Sequence, residues 1–139
     1  ELDLKSGTWT IPKTKAGTSQ RVPLTTQALR TLQKRRRSAS PWVFPSHGKS
    51  GHMTRPGKAW ERLLVAAELE GVTMHDLRRT LGSWQAAQGS SELIIGKTLG
   101  HAAGSRATSV YARLDLDPVR ESMSAAVDAI EKAAEGGAA

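Results

Sequence analysis

The chain has 139 residues, 24% of them charged, with 20 Lys/Arg against 13 Asp/Glu, no cysteine and a formal charge of +7. That length suits one domain able to bury about two-thirds of its unfolded surface. The absence of cysteine excludes disulfides and thiolate metal sites and fits a reducing compartment; no apolar run approaches the roughly 18–20 residues that span a bilayer, and no secretory leader opens the sequence. The basic balance favours a polyanionic partner, and it is uneven: residues 1–37 carry a net +7, residues 38–80 a net +2 and residues 81–139 a net −2.

Leu2 and Leu4 alternate with charged neighbours, Lys5-Ser6-Gly7 forms a turn, and Trp9 and Ile11 resume the alternation, which predicts a hairpin. A loop from Lys13 to Ser19 leads to a third strand at Gln20–Leu24, so Lys15 falls at a hairpin tip beside Gly17, where a tight turn is permitted. Helical periodicity follows from Thr26 to Arg36 with Leu29 and Leu32 on one face, ending in Lys34-Arg35-Arg36-Arg37. Cations suit a helix C-terminus, and phosphate contact is their second use. Pro41-Trp42-Val43-Phe44-Pro45 is too short for a helix and is expected to bury Trp42 or Phe44. The polar stretch Ser46–Thr54 reads as a loop; its His47 and His52 lack partner ligands at metal-binding spacing.

A helix from Pro56 to Gly71 carries Trp60, Leu63, Leu64 and Ala67 as a core stripe. The next, from Thr73 or Met74 to Gly89, places Leu77, Leu81 and Trp84 on a buried face and His75 and Arg78, three apart, on another. Backbone N–H groups at that helix start would face the same anion. Ser90 or Ser91 caps a short helix with Leu93, Ile94 and Ile95 that ends at Gly100, directly before His101. A further short helix after Gly104 presents Tyr111, the only tyrosine. Asp117 and Pro118 open a final helix with Val119, Met123, Val127 and Ile130 on one stripe, and the end from Ala133 to Ala139 is expected to fray.

Lys15, His75, Arg78, His101 and Tyr111 are types that together suit phosphoryl chemistry. Arginine forks and imidazoles stabilise charge that gathers on phosphate oxygens during attack. A phenol, with an ordinary pKa of about 10, becomes a nucleophile when cations favour its ionised form, and a lysine ammonium can protonate a departing sugar oxygen. No metal or other cofactor is needed.

The text Thr14-Lys15-Ala16-Gly17, Arg21-Val22-Pro23-Leu24, His75-Asp76-Leu77-Arg78-Arg79-Thr80, Leu99-Gly100-His101 and Val110-Tyr111-Ala112-Arg113-Leu114 resembles the catalytic domain of tyrosine recombinases, or phage integrases, over nearly the whole chain. The resemblance implies an α+β fold, mostly helical with a small three-stranded antiparallel sheet at the N-terminal end, and metal-free site-specific recombination of double-stranded DNA. It implies that Tyr111 is the nucleophile joined to a 3′-phosphate and that Arg78 is the second of two catalytic arginines. His75 and His101 would contact the scissile phosphate, with His75 also aiding proton transfer, and Lys15 would be the general acid. Lys15 is preferred over Lys13 because its distance to Val22-Pro23-Leu24 matches the family's.

The family's first catalytic arginine precedes the strand that opens here at Glu1. Residues 1–139 are therefore expected to be a catalytic domain incomplete at its N-terminus, inactive or severely impaired when isolated. Lys13, Arg21, Lys34, Arg35, Arg36 and Arg37 are the expected DNA-backbone contacts. The family also implies a tetramer on DNA, action in the cytoplasm at the nucleoid, and a C-terminal helix and tail (117–139) exchanged between protomers, although folding back on its own domain would use the same apolar stripe. A non-catalytic DNA-binding module, a topoisomerase using the same chemistry and a plain helical scaffold are the alternatives.

Overall fold

A computed structural model of the chain describes residues 1–13, 17, 19–35, 40–100 and 116–137. Three short strands, β1 (Leu2–Asp3), β2 (Thr8–Ile11) and β3 (Gln20–Pro23), form an antiparallel sheet in the order β1-β2-β3. The register pairs Leu2 with Trp9 and Trp9 with Val22. The β1–β2 turn is closed by Asp3, whose Oδ1 accepts from the Lys5 N–H at 2.9 Å and whose Oδ2 accepts from the Ser6 hydroxyl at 2.7 Å. Five helices follow among the described residues: α1 (Thr26–Arg35), α2 (Gly57–Ala66), α3 (Met74–Ala87), α4 (Glu92–Thr98) and α5 (Leu116–Gly136). The α+β class and the order of the described elements agree with the sequence expectation; the short helix expected after Gly104 lies outside the described residues.

The core lies where α5 crosses β3, α3 and α4. Val119 and Ala126 of α5 are fully buried, with Leu24, Thr8 and Thr25 at the sheet side and Gln85 on α3. Alanine and glycine let these helices approach closely: a β-carbon on Gly82 would stand 3.1 Å from Leu99 Cδ1, so the glycine makes room for the end of α4. Arg120 ties α5 to the sheet. Its Nη1 donates to the Gly7 and Leu24 carbonyls at 2.8 and 2.7 Å, and its Nη2 to the Ser6 carbonyl at 3.1 Å. These turn carbonyls need a donor, and the guanidinium fork supplies several at once. On the other side, Gln27 of α1 donates to Asp128 and Glu131 of α5 at 2.7 and 3.1 Å.

Three expected core assignments are corrected. Trp42 and Phe44 are each 48% exposed. The Trp42 ring instead packs on the His52 ring at 4.4 Å, and the Arg35 guanidinium covers Phe44 at 4.9 Å, so each aromatic has a polar neighbour that tolerates solvent. The α2 stripe is not core: Leu63 is 56% exposed and Ala67 is exposed as well. No described element packs closely along α2, which is held chiefly through the Trp60 indole N–H donating to the Val72 carbonyl at 3.0 Å. On α3, Leu77 is 55% exposed, whereas Gly82 and Gln85 are buried. The inward stripe is thus shifted by one position, because α4 and α5 pack where a glycine and an internally bonded glutamine allow it.

Candidate active site

The start of α3 is built around Asp76. Its carboxylate accepts from the Thr73 N–H at 2.9 Å and from the Thr73 hydroxyl at 2.6 Å, satisfying the N-cap. Those Thr73 hydrogen bonds, with the Arg79 charge alongside, hold the Asp76 carboxyl below the usual aspartate range. Arg79 Nη1 lies 3.2 Å from Asp76 Oδ1 in the one ion pair among the described residues. A carboxylate therefore already occupies this helix start.

His75 and Arg78 are both exposed, and the single ion pair leaves Arg78 with no carboxylate partner among the described residues. They do not lie on a face apart from the packing surface. His75, Arg78, Gly82 and Gln85 follow one another at intervals of three, four and three, so the pair extends the buried stripe of α3 into solvent. Along that stripe α4 packs on α3. Gln85 meets Thr98 through a 3.0 Å hydrogen bond, and Gly82, one turn earlier, meets Leu99.

Gly100 has φ +56°, and a β-carbon there would lie 2.6 Å from the Gln20 Nε2 atom. The left-handed backbone favours glycine, and an added carbon would also displace the end of the Gln20 side chain. The Leu99-Gly100 turn is thereby wedged between α3 and Gln20, the first residue of β3, where the β2–β3 connection ends. His101 and Tyr111 lie outside the described residues, as do Lys15, Arg36 and Arg37. What the structure does bring together are the supports of these segments: the residue before His101, the strand that follows Lys15, and the α3 stripe bearing His75 and Arg78.

Lys13, Arg21, Lys34 and Arg35 are exposed. Arg21 lies on β3 opposite Thr10, and Arg35 stacks on Phe44. A groove of about 450 Å³ between β1, the end of α1 and residues 40–43 is lined in part by Lys5, Arg35 and Trp42, and neither His75 nor Arg78 reaches it. Among the described residues no cluster of side chains could hold a metal ion, and no helix is long and apolar enough to cross a membrane.

Sequence reasoning missed Arg120 and Gln85, which hold α5 in place. A glycine inside a helical pattern, at position 82, was the available signal that another element approaches α3 there.

The model of the phage integrase family matches residues 1–117. Prophage integrase IntF of Escherichia coli K12 is 36% identical over 80 residues, covering 58% of this chain and 17% of that protein. Tyrosine recombinase XerD of Rhizobium meliloti is 30% identical over 107 residues, covering 70% of this chain and 34% of that protein. XerD of Bradyrhizobium diazoefficiens is 36% identical over 80 residues, covering 55% and 25% respectively. The chain thus spans between 17% and 34% of the length of these curated relatives, and no solved structure matches it. With a match over most of its length and an α+β architecture of the expected order, the chain belongs to the phage integrase family, the tyrosine recombinases.

Proposed function

We propose that residues 1–139 are the catalytic module of a site-specific DNA recombinase acting in the cytoplasm on nucleoid or phage DNA. The Tyr111 phenolate oxygen attacks phosphorus and forms a bond to the 3′-phosphate. The bond from phosphorus to the 5′ oxygen breaks, and that oxygen takes a proton from the Lys15 ammonium. Rejoining reverses the step with a 5′-hydroxyl from a second strand, which attacks phosphorus and releases Tyr111. Arg78, His75 and His101 stabilise the charge on the phosphate oxygens, and no metal enters the scheme. Lys13, Arg21 and Lys34–Arg37 hold the DNA backbone, and four protomers assemble on two duplexes.

The observation that supports this most is that the end of α4 packs on the α3 stripe that carries Arg78. Thr98 bonds Gln85, Ile95 and Leu99 flank Gly82, and Gly100 meets the side chain of Gln20 on the strand that follows Lys15. The family's first arginine is taken to come from outside residues 1–139.

The test is covalent capture. The full-length protein containing this chain is incubated with host genomic fragments, denatured, filtered and sequenced from the trapped DNA. Adducts at a recurrent site, carried on the Tyr111 peptide and lost in Tyr111→Phe, are expected. Adducts scattered without preference, with relaxation of supercoils, would favour a topoisomerase. Salt-sensitive binding with no adduct would leave a DNA-binding module.

A further inference from the structure

We infer that Gln85 is a positioning residue for this reaction, locking α4 and α5, which flank residues 101–115 in the chain, into one register with the helix that carries Arg78. The inference rests on the function proposed above. Gln85 is completely buried, and its Nε2 donates to Thr98 Oγ1 at 3.0 Å and to Ser122 Oγ at 2.7 Å. Ser122 in turn is 2.6 Å from the Ser90 hydroxyl. The orientation of the amide follows from Thr98. Its hydroxyl donates to the Ile94 carbonyl at 3.1 Å, so toward Gln85 it can only accept.

Of the three helices joined here, one carries Arg78 and the other two flank residues 101–115 in the chain. Gln85 lies two turns along α3 from Arg78. Thr98 ends α4 three residues before His101, and Ser122 lies in the second turn of α5, eleven residues after Tyr111. Both ends of the segment 101–115 are therefore tied to one side chain on the helix that carries Arg78. Apolar contact alone would not fix that register, because it is non-directional and two helices can slide along an apolar seam. Hydrogen bonds near 3 Å do fix it, and a polar network inside a core restricts the helices to one arrangement.

The remaining amide atom sharpens the point. Gln85 Oε1 is buried without a hydrogen-bond partner among the described residues. A methionine of similar length would fill the space but offer no donor to Thr98 or Ser122. Retaining the amide makes sense if its donor side is needed for register.

The experiment uses the full-length protein and a nicked suicide duplex built on the site recovered by covalent capture. Single-turnover cleavage at saturating DNA, the Kd for the same duplex and the Tm are measured for wild type, Gln85→Met, Thr98→Val and the double variant, well below every Tm. Gln85→Met is expected to slow cleavage by about tenfold or more, since small misplacements of reacting groups are costly, while Kd stays within about twofold. Thr98→Val should slow it less, and the double variant should be no slower than Gln85→Met, as expected for two members of one network.

Equal cleavage by wild type and Gln85→Met would overturn the inference and leave the function standing, whatever happens to Tm. If Gln85→Met does not melt cooperatively, Thr98→Val decides: cleavage slowed at unchanged Kd supports positioning, and an unchanged rate overturns it. Failure of the wild type to form any adduct would overturn function and positioning together.

Discussion

Arg79 Nη1 lies 3.2 Å from Asp76 Oδ1, and that pair divides the labour between two adjacent arginines. Arg79 is spent on the carboxylate that caps its own helix. Arg78 has no such partner among the described residues and lies in line with the buried stripe of α3. Arg78→Ala should therefore slow strand cleavage by the full-length protein on the order of 10²–10³ fold, the usual cost of losing a preorganised donor to developing charge. Arg79→Ala should leave the rate within about twofold, because an exposed ion pair contributes little. Single-turnover assays on a suicide duplex compare the two, and a reversed order would exchange their roles.

The same carboxylate gives a pH dependence with a defined sign. Hydrogen bonds from Thr73 lower the Asp76 pKa in the folded chain, so the folded state favours the ionised form. Its contribution is complete above the unfolded value of about 3.9 and is lost as pH falls through the lower folded value. Helix α3 should then fray from its first turn, the turn bearing His75 and Arg78. Asp76→Asn should lower Tm at neutral pH and weaken the acid dependence of stability below about pH 4. Thermal melts between neutral pH and acid, followed by circular dichroism, would show whether the two curves converge.

The sequence made much of this molecule legible because local rules coincided with the fold. Turn residues at Lys5-Ser6-Gly7 placed β1–β2 nearly to the residue, and α3 begins at Met74, one of the two starts the periodicity offered. Burial was harder to read. Leu63 and Leu77 have helical spacing, yet both are more than half exposed, because periodicity identifies an apolar face without showing whether anything packs against it. Gln85 is the converse case: a polar residue whose burial depends on hydroxyls supplied by residues 13 and 37 positions away. Lys15, His101 and Tyr111 rest on motif spacing, while the turn that precedes His101 has its own geometric support in Gly100.

The contrast in burial can be measured on the 139-residue chain. Val119 is 1% exposed, and Val119→Ala should cost about 2 kcal/mol for two buried methyl groups and the space they leave. Val65 is 79% exposed, and Val65→Ala should change stability by less than about 0.5 kcal/mol. Urea melts of both variants give the two figures. Similar losses at the two positions would mean that α2 is packed more closely than its exposure indicates.

Gly100 offers a test of the turn before His101. A non-glycine residue in the left-handed region costs roughly 1–2 kcal/mol. At this position a β-carbon would also press on the Gln20 amide. Gly100→Ala should destabilise the chain by at least the backbone cost, and Gln20→Ala in the same background should recover only the contact part. Full recovery in the double variant would show that crowding, rather than the φ of +56°, is why glycine stands there.

The proton donor can be identified by the chemistry of the leaving group. A bridging 5′-thio phosphodiester needs no proton on its leaving group, because a thiolate departs readily, whereas a 5′ alkoxide does not. Lys15→Ala in the full-length protein should therefore slow cleavage of the normal duplex strongly, by about 10²-fold or more, and cleavage of the thio duplex far less. Lys13 is exposed at the start of the same β2–β3 connection, and Lys13→Ala should weaken DNA binding modestly with no difference between the two substrates. Thio rescue of Lys13→Ala instead would move the general acid two residues toward β2 and shift the motif alignment with it. Equal slowing of both substrates by Lys15→Ala would give Lys15 a role in holding phosphate and leave the proton to another group, with His75 the next to be tested.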